Sequence, residues 1–143
     1  MISLRPLTID DYDGLCDLWQ EAGLPYRPNG RDTRENISSQ MRSDCSIYLV
    51  AEEDGRMVGA VLGTHDGRKG WINRLAVAPD HRKRGIAAIL VRAVEERLLE
   101  RGIEIFACQI EDWNEPSMTV FDHLGYTRHD DIIYFTKRLR PDV

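Results

Sequence analysis

From Gly85 onward, Ile86, Ile89, Leu90, Ala93, Val94 and Leu98 recur at three- and four-residue spacing, with Arg92, Glu95, Glu96 and Glu100 between them. That period predicts a long amphipathic helix, which Gly102 ends. Ile2 to Leu7 reads as a short first strand, after which Thr8 can cap a helix carrying Tyr12, Leu15, Trp19 and Ala22 up to Gly23. A turn-rich connection from Leu24 to Arg31 leads to a second short helix, capped by Asp32 and carrying Ile37 and Met41. Ser46 to Glu53 and Arg56 to His65 flank Asp54-Gly55, a strong hairpin signal. Trp71 to Ala78 forms the next strand and Pro79 stops it. Ile103 to Ile110 is another, and Pro116, behind Asn114, opens a helix running through Leu124 to Gly125. Tyr126 to His129 and Ile132 to Leu139 are expected as closing strands. The order predicts an α/β fold: a mixed sheet of about seven strands with about four helices, and one strand-helix-strand unit whose strands run parallel. No linker or repeat divides the chain, so residues 1–143 are read as a single domain.

Composition narrows the partners. With 19 Lys and Arg against 24 Asp and Glu, the chain carries −5, which argues against nucleic acid or an anionic membrane as the main partner. No apolar run reaches the ~20 residues of a bilayer span, and Met1 to Asp10 lacks the layout of a signal peptide, so a cytoplasmic protein is expected. Cys16, Cys45 and Cys108 include no Cys-x-x-Cys pair and read as small, partly buried hydrophobes. His65, His81, His123 and His129 share no ligand spacing, and no metal is assigned.

One local exception stands against the acidic balance. His81, Arg82, Lys83 and Arg84 form the densest basic run in the chain, directly ahead of Gly85, Ile86, Ala87 and Ala88 at the start of the long helix. The first N–H groups of a helix lack internal partners and sit at the positive end of its dipole, so a basic, small-residue entry is a prebuilt anion site. A solvated turn accounts for the charges equally well.

Arg82-Lys83-Arg84-Gly85-Ile86-Ala87 resembles the Gln/Arg-x-x-Gly-x-Gly/Ala signature of the GNAT superfamily, the Gcn5-related N-acetyltransferases, and follows a strand ending Leu75-Ala76-Val77-Ala78-Pro79 as it does in that family. Asn114, Phe121, Leu124, Gly125 and Tyr126 resemble the family's later Asn-to-Gly-Phe segment. The order of elements is similar throughout, and the likeness is greatest to small single-domain members of the ribosomal-protein N-acetyltransferase type. The resemblance implies acetyl-CoA, as co-substrate, in a cleft where two parallel strands splay. Leu75, Ala76 and Val77 would pair with the pantetheine arm, and Lys83, Arg84, Gly85, Ile86, Ala87 and Ala88 would hold the pyrophosphate. Asn114 and Phe121 would border the coenzyme, Asn114 being equally natural as a helix cap. The N–H of Val77, freed by a strand irregularity, would be the oxyanion donor.

Relatives often carry a glutamate and a tyrosine as base and acid where this chain has Gln109 and Phe121, so neither role carries over. Tyr126 and Tyr134 are alternative acids, or core aromatics. Glu111 is the expected base, directly or through water, its alternative being an exposed strand-end carboxylate. At pH 7 about one α-amine in six is neutral, against roughly one lysine side chain in 2500, so a weak base favours an α-amine or one of lowered pKa. The acceptor pocket is expected from Tyr26, Arg27 and Arg31 in the first loop, with Trp71, Asn73 and Trp113. Two loop arginines can pair with a carboxylate on the acceptor. The sequence therefore reads as an N-acetyltransferase acting on a small-molecule amine or a peptide amino terminus, with homodimer formation expected. A non-catalytic acyl-CoA-binding or sensor domain is the alternative.

Overall fold

The computed structural model describes residues 1–143. Strand β1 (Ser3–Pro6) leads through a 3-10 turn (Ile9–Asp11) into α1 (Tyr12–Glu21), followed by α2 (Arg34–Met41). Then come β2 (Ser46–Glu53), β3 (Arg56–His65) and β4 (Gly70–Val77), a second 3-10 turn (Pro79–His81), α3 (Ile86–Glu100), β5 (Phe106–Cys108) and α4 (Glu115–His123). The strands form one sheet in the order β1-β2-β3-β4-β5, antiparallel except for the β4–β5 pair, which α3 connects in parallel. This is the expected mixed α/β fold with four helices.

Local chemistry explains the parts that match. Asp54 and Gly55 both take positive φ, 53° and 76°, the conformation of a type I′ turn whose twist suits a two-residue hairpin. In α1, Leu15, Leu18 and Trp19 are buried. In α3, Ile86, Leu90, Val91, Ala93, Val94 and Leu98 turn to the sheet.

The sheet divides the interior into two cores. One face packs Ile47, Leu49, Val61 and Ile72 against α3 and Phe121; the other packs Tyr48, Val50, Ala60 and Ala76 against α1 and Ile37. α3 sits close because glycines lie beneath it. A Cβ on Gly59 would stand 3.0 Å from atoms of both Ile86 and Leu90, one on Gly63 2.7 Å from Val94, and one on Gly70 inside the space of Leu98.

Three expectations are corrected. The sheet has five strands, because Tyr126–His129 and Ile132–Leu139 enter no ladder. β5 offers only three paired residues, a short edge to build on, and Ile132 to Phe135 is apolar at every position, so alternation gives it no single face to bury. β5 is also shorter than Ile103–Ile110. Thr33, rather than Asp32, caps α2 by accepting the Asn36 N–H at 3.1 Å, which leaves the Asp32 side chain buried and turned elsewhere.

Candidate functional site

The site begins where β4 and β5 part. Their pairing covers Gly70 to Ile72 only, so Asn73 to Val77 has no strand neighbour on that side. Within this stretch the β3–β4 register slips: Ala60 faces Ala76 while Leu62 faces Asn73, leaving Val61 opposite both Arg74 and Leu75. Arg74 occupies the bulge at φ +51°. The extra residue reverses the parity of the strand. Gly70 sends its N–H to Ile105 on the β5 side, whereas Ala78 sends its N–H to Val58 on the β3 side. By alternation the N–H groups of Leu75 and Val77 point to the open edge.

At the end of β4, the chain turns through Pro79–His81 into the basic run. Lys83 and Gly85 both adopt left-handed backbone, φ 64° and 80°, and Gly85 is the residue from which α3 starts, with no side chain capping it. A Cβ at Gly85 would meet nothing within 4 Å. Such a turn at a helix start aims backbone N–H groups outward. Ile86 is buried beneath it, and Ala87 and Ala88 are half-buried.

The four basic residues divide. Arg84 grips Glu53 at the end of β2 with two hydrogen bonds, 3.0 and 2.6 Å, and His81 lies 3.3 Å from the same carboxylate and 2.8 Å from Asp80. Arg82 and Lys83 have no carboxylate partner, Arg82 reaching only the carbonyl of Ala22 at 3.4 Å. The loop is thus anchored by the side chains of His81 and Arg84 and leaves Arg82 and Lys83 without a carboxylate partner. The Arg84 guanidinium, with support from His81, holds the Glu53 carboxyl at about 2.

On the α1 and α2 face, loop 26–32 folds around Asp32. Its Oδ2 accepts the Arg27 N–H at 2.6 Å and Arg74 Nη2 at 2.8 Å, and the Arg74 guanidinium stacks 4.8 Å from the Trp19 ring. Tyr26 packs on Trp19, with centroids 5.6 Å apart. Tyr12 donates to the Asp32 carbonyl at 2.7 Å, and burial pushes its hydroxyl up to about 12. The structure therefore gathers Tyr26, Arg27 and Arg31 around Asp32 and Trp19, whereas Asn73, next to Arg74 on β4, donates to Thr64 at 3.1 Å. Trp71 lies within the paired stretch, opposite Ala107, with Lys69 over its ring, and Trp113 is exposed in the loop before α4. The sequence did not mark Arg74, Asp32 or Trp19 as site residues: Asp32 read as a helix cap and Trp19 as an apolar helix position. The signal available was the polar pair Asn73-Arg74 interrupting a strand that is otherwise apolar.

The remaining candidates fall as follows. Asn114 caps α4 by accepting the Ser117 N–H at 3.3 Å. Phe121 is buried edge-on to Tyr126, at 4.9 Å. Tyr126 donates to Glu95 on α3 at 2.6 Å, and burial with that carboxylate drives its pKa far above the ordinary value. Tyr134 is exposed rather than a core aromatic. Glu111 lies three residues past the end of β5, exposed. Burial pushes the Cys108 thiol up to about 11. No cluster of three or more His, Cys, Asp or Glu side chains could hold a metal ion, and no helix is long and apolar enough to cross a membrane.

Residues 12–126 match the Acetyltransferase (GNAT) family. The chain is similar in fold to AAC(6')-Iy in complex with a CoA-S-monomethyl-acetylneamine bisubstrate analogue, with TM-score 0.81 and 18% identity over 96% of this chain and 99% of that one. It is also similar to the PaiA N-acetyltransferase of Thermoplasma acidophilum in complex with coenzyme A, with TM-score 0.81 and 18% identity over 92% and 93%. The ribosomal-protein-S18-alanine N-acetyltransferase of Escherichia coli aligns with TM-score 0.73 and 17% identity over 87% and 77%.

A carboxyl held near 2 in the fold and near 4.5 outside it favours folding. Its contribution is whole above pH 4.5 and disappears as pH falls through about 2. Carbon-detected NMR of the Glu53 carboxyl should give a midpoint near 2, moving toward 4.5 in Arg84→Gln. A native midpoint near 4.5 contradicts the loop anchor.

Proposed function

Because the chain belongs to the GNAT acetyltransferase family, we propose that it moves an acetyl group from acetyl-CoA to a primary amine, on a small molecule or at a peptide amino terminus, by direct attack in a ternary complex. The observation that carries this reading is the parity reversal in β4, which turns the Leu75 and Val77 N–H groups to the open edge near the bare turn at Lys83 and Gly85. Lys83 to Ala88 then take the pyrophosphate, the β4 edge from Leu75 to Val77 pairs with the pantetheine arm, and Asn114 and Phe121 border it from α4. Acetyl-CoA supplies the thioester carbonyl.

In the transfer the amine nitrogen bonds to the carbonyl carbon, and the charge that moves onto oxygen is met by the Val77 N–H. One such donor is worth ~3 kcal/mol. The C–S bond then breaks, and coenzyme A leaves as a thiolate. A thiol with pKa about 8.5 departs near neutral pH without an acid, so the commitment of the Tyr126 proton to Glu95 does not obstruct the reaction. Glu111, exposed beyond β5, takes the amine proton directly or through water.

The reading extends to assembly and setting. Ile132, Ile133, Tyr134 and Phe135 are 67 to 88% exposed on backbone that enters no ladder, and the outer edge of β5 carries no strand, so two copies can each supply cover to the other. Three unpaired cysteines accord with a reducing, cytoplasmic setting.

Three outcomes are expected. Asn tolerates left-handed backbone, so Gly85→Asn should keep the fold while placing a side chain in the path of the pyrophosphate. Its coenzyme A affinity by calorimetry should fall at least about tenfold, about 1.4 kcal/mol; unchanged affinity would remove the site. Initial rates on an accepted amine should give intersecting double-reciprocal lines, with Cys108→Ala retaining most activity. Parallel lines, or acetyl trapped on Cys108, would overturn direct transfer. Coenzyme binding with no thiol release across an amine panel would favour the sensor reading. Light scattering at micromolar concentration should give twice the mass of one chain, and a single-chain mass would refute the dimer.

A further inference from the structure

Loop 26–32 and β4 gather more positive charge than the fold consumes. Burial and the charges of Arg74, Arg138 and Arg27 together pull the Arg31 guanidinium below its ordinary pKa, with the Asp32 carboxylate opposing them. Asp142, whose backbone oxygen takes the Arg31 N–H at 3.3 Å, turns its own carboxylate to Arg140 at 3.6 Å. Asp32 therefore faces two guanidiniums directly, those of Arg74 and Arg31, while Arg138 donates to the terminal Val143 oxygen. That carboxylate is already engaged: Oδ2 accepts the Arg27 N–H and Arg74 Nη2, with Arg31 Nε 3.8 Å away.

The unspent hydrogen-bonding groups of this corner are donors. Arg74 Nη1 is buried with no acceptor, and so is Nε1 of Trp19, the ring on which Arg74 stacks. A buried N–H without a partner is costly, as is a non-glycine residue at φ +51°. Pairing with Asp32 uses only one arm of the guanidinium and accounts for neither cost. The place matters as well. Arg74 follows the last β4–β5 pair by two residues and precedes Val77 by three, about 10 Å along a strand, and it keeps 14% of its side chain exposed beside Arg31 at 46%.

We propose that the acceptor amine carries an oxyanion, a carboxylate or a phosphate, and that Arg74, with Arg31 at the rim, receives it. The proposal rests on the acetyltransferase reading and names the acceptor class of that same site. Arg74 is the specificity residue. A planar guanidinium edge suits a flat or branched oxyanion, and a site built to hydrogen-bond one group rejects analogues lacking it. A polyamine brings like charge to the same corner.

The test is thiol release from acetyl-CoA with amines in matched pairs: β-alanine against β-alaninamide, phosphoethanolamine against ethanolamine, and dipeptides against their amides. At least one anionic member should exceed its neutral partner tenfold or more in kcat/KM, and the pair that does so separates carboxylate from phosphate. The preference should fall below about threefold in Arg74→Gln/Asp32→Asn, which removes the ion pair without leaving a lone buried charge, and should weaken in Arg31→Gln. Calorimetric affinity for coenzyme A should stay unchanged in both variants. Neutral or polycationic amines acetylated as well as anionic ones would overturn the proposal while leaving the acetyltransferase reading intact, as would a preference indifferent to Arg74. If no amine releases thiol although coenzyme A binds, the acetyltransferase reading falls. Calorimetry of N-acetyl-β-alanine against its amide on the coenzyme A-saturated protein then decides the anion site: equal affinity overturns it, and an Arg74-dependent difference supports it.

Discussion

The seat of α3 on the sheet is the constraint from which the rest follows. Gly59, Gly63 and Gly70 remove the side chains that would lift the helix, so Ile86, Leu90, Val94 and Leu98 lie directly on backbone. A helix lowered in this way cannot slide without meeting strand atoms, because interiors are packed to crystal density. Its first residue is thereby fixed against β4. The proposed pyrophosphate turn at Gly85 and the backbone edge at Val77, eight positions apart, are two ends of one connection drawn tight between strand and helix. Glu53 adds a third point by holding Arg84, so the end of the β2–β3 hairpin also locates the turn.

A second constraint is the bulge at Arg74. One inserted residue does two things at once. It sends the N–H groups of Leu75 and Val77 to the open edge, and it projects an arginine to the α1 and α2 face, where Asp32 and Trp19 meet it. The proposed backbone chemistry and the proposed side-chain recognition would therefore both depend on the same local distortion.

What the sequence made legible was what short-range chemistry decides. The Asp54-Gly55 turn needs positive φ at neighbouring positions and has residues that tolerate it. The period of α3 is carried by its own side chains, and the basic run with Gly85 stands next to the helix it opens. Long-range partners were not legible. Arg74 and Asp32 lie 42 positions apart, and Arg84 and Glu53 lie 31 apart, so nothing in either neighbourhood announces the pair. Asp32 and Thr33 are both good caps, and burial of Asp32 by the loop, not intrinsic preference, chose Thr33. Tyr126 to Leu139 has strand-like composition, but a strand exists only when an edge receives it. Of the glycines beneath α3, Gly59 and Gly63 read as ordinary strand residues and Gly70 as the end of a turn until the helix above them is known.

The separation of the two cores has a consequence for how such a chain can diversify. Residues around Asp32 and Trp19 pack on one face of the sheet and those beneath α3 on the other, with the strands as a partition. Substitutions in loop 26–32 or α1 that leave Asp32, Trp19 and their contacts to Arg74 in place repack only their own side, since distant sites without shared partners act independently. On the proposed reading, a lineage could exchange one acceptor for another on the Asp32 side while the residues proposed to hold the donor stay in place.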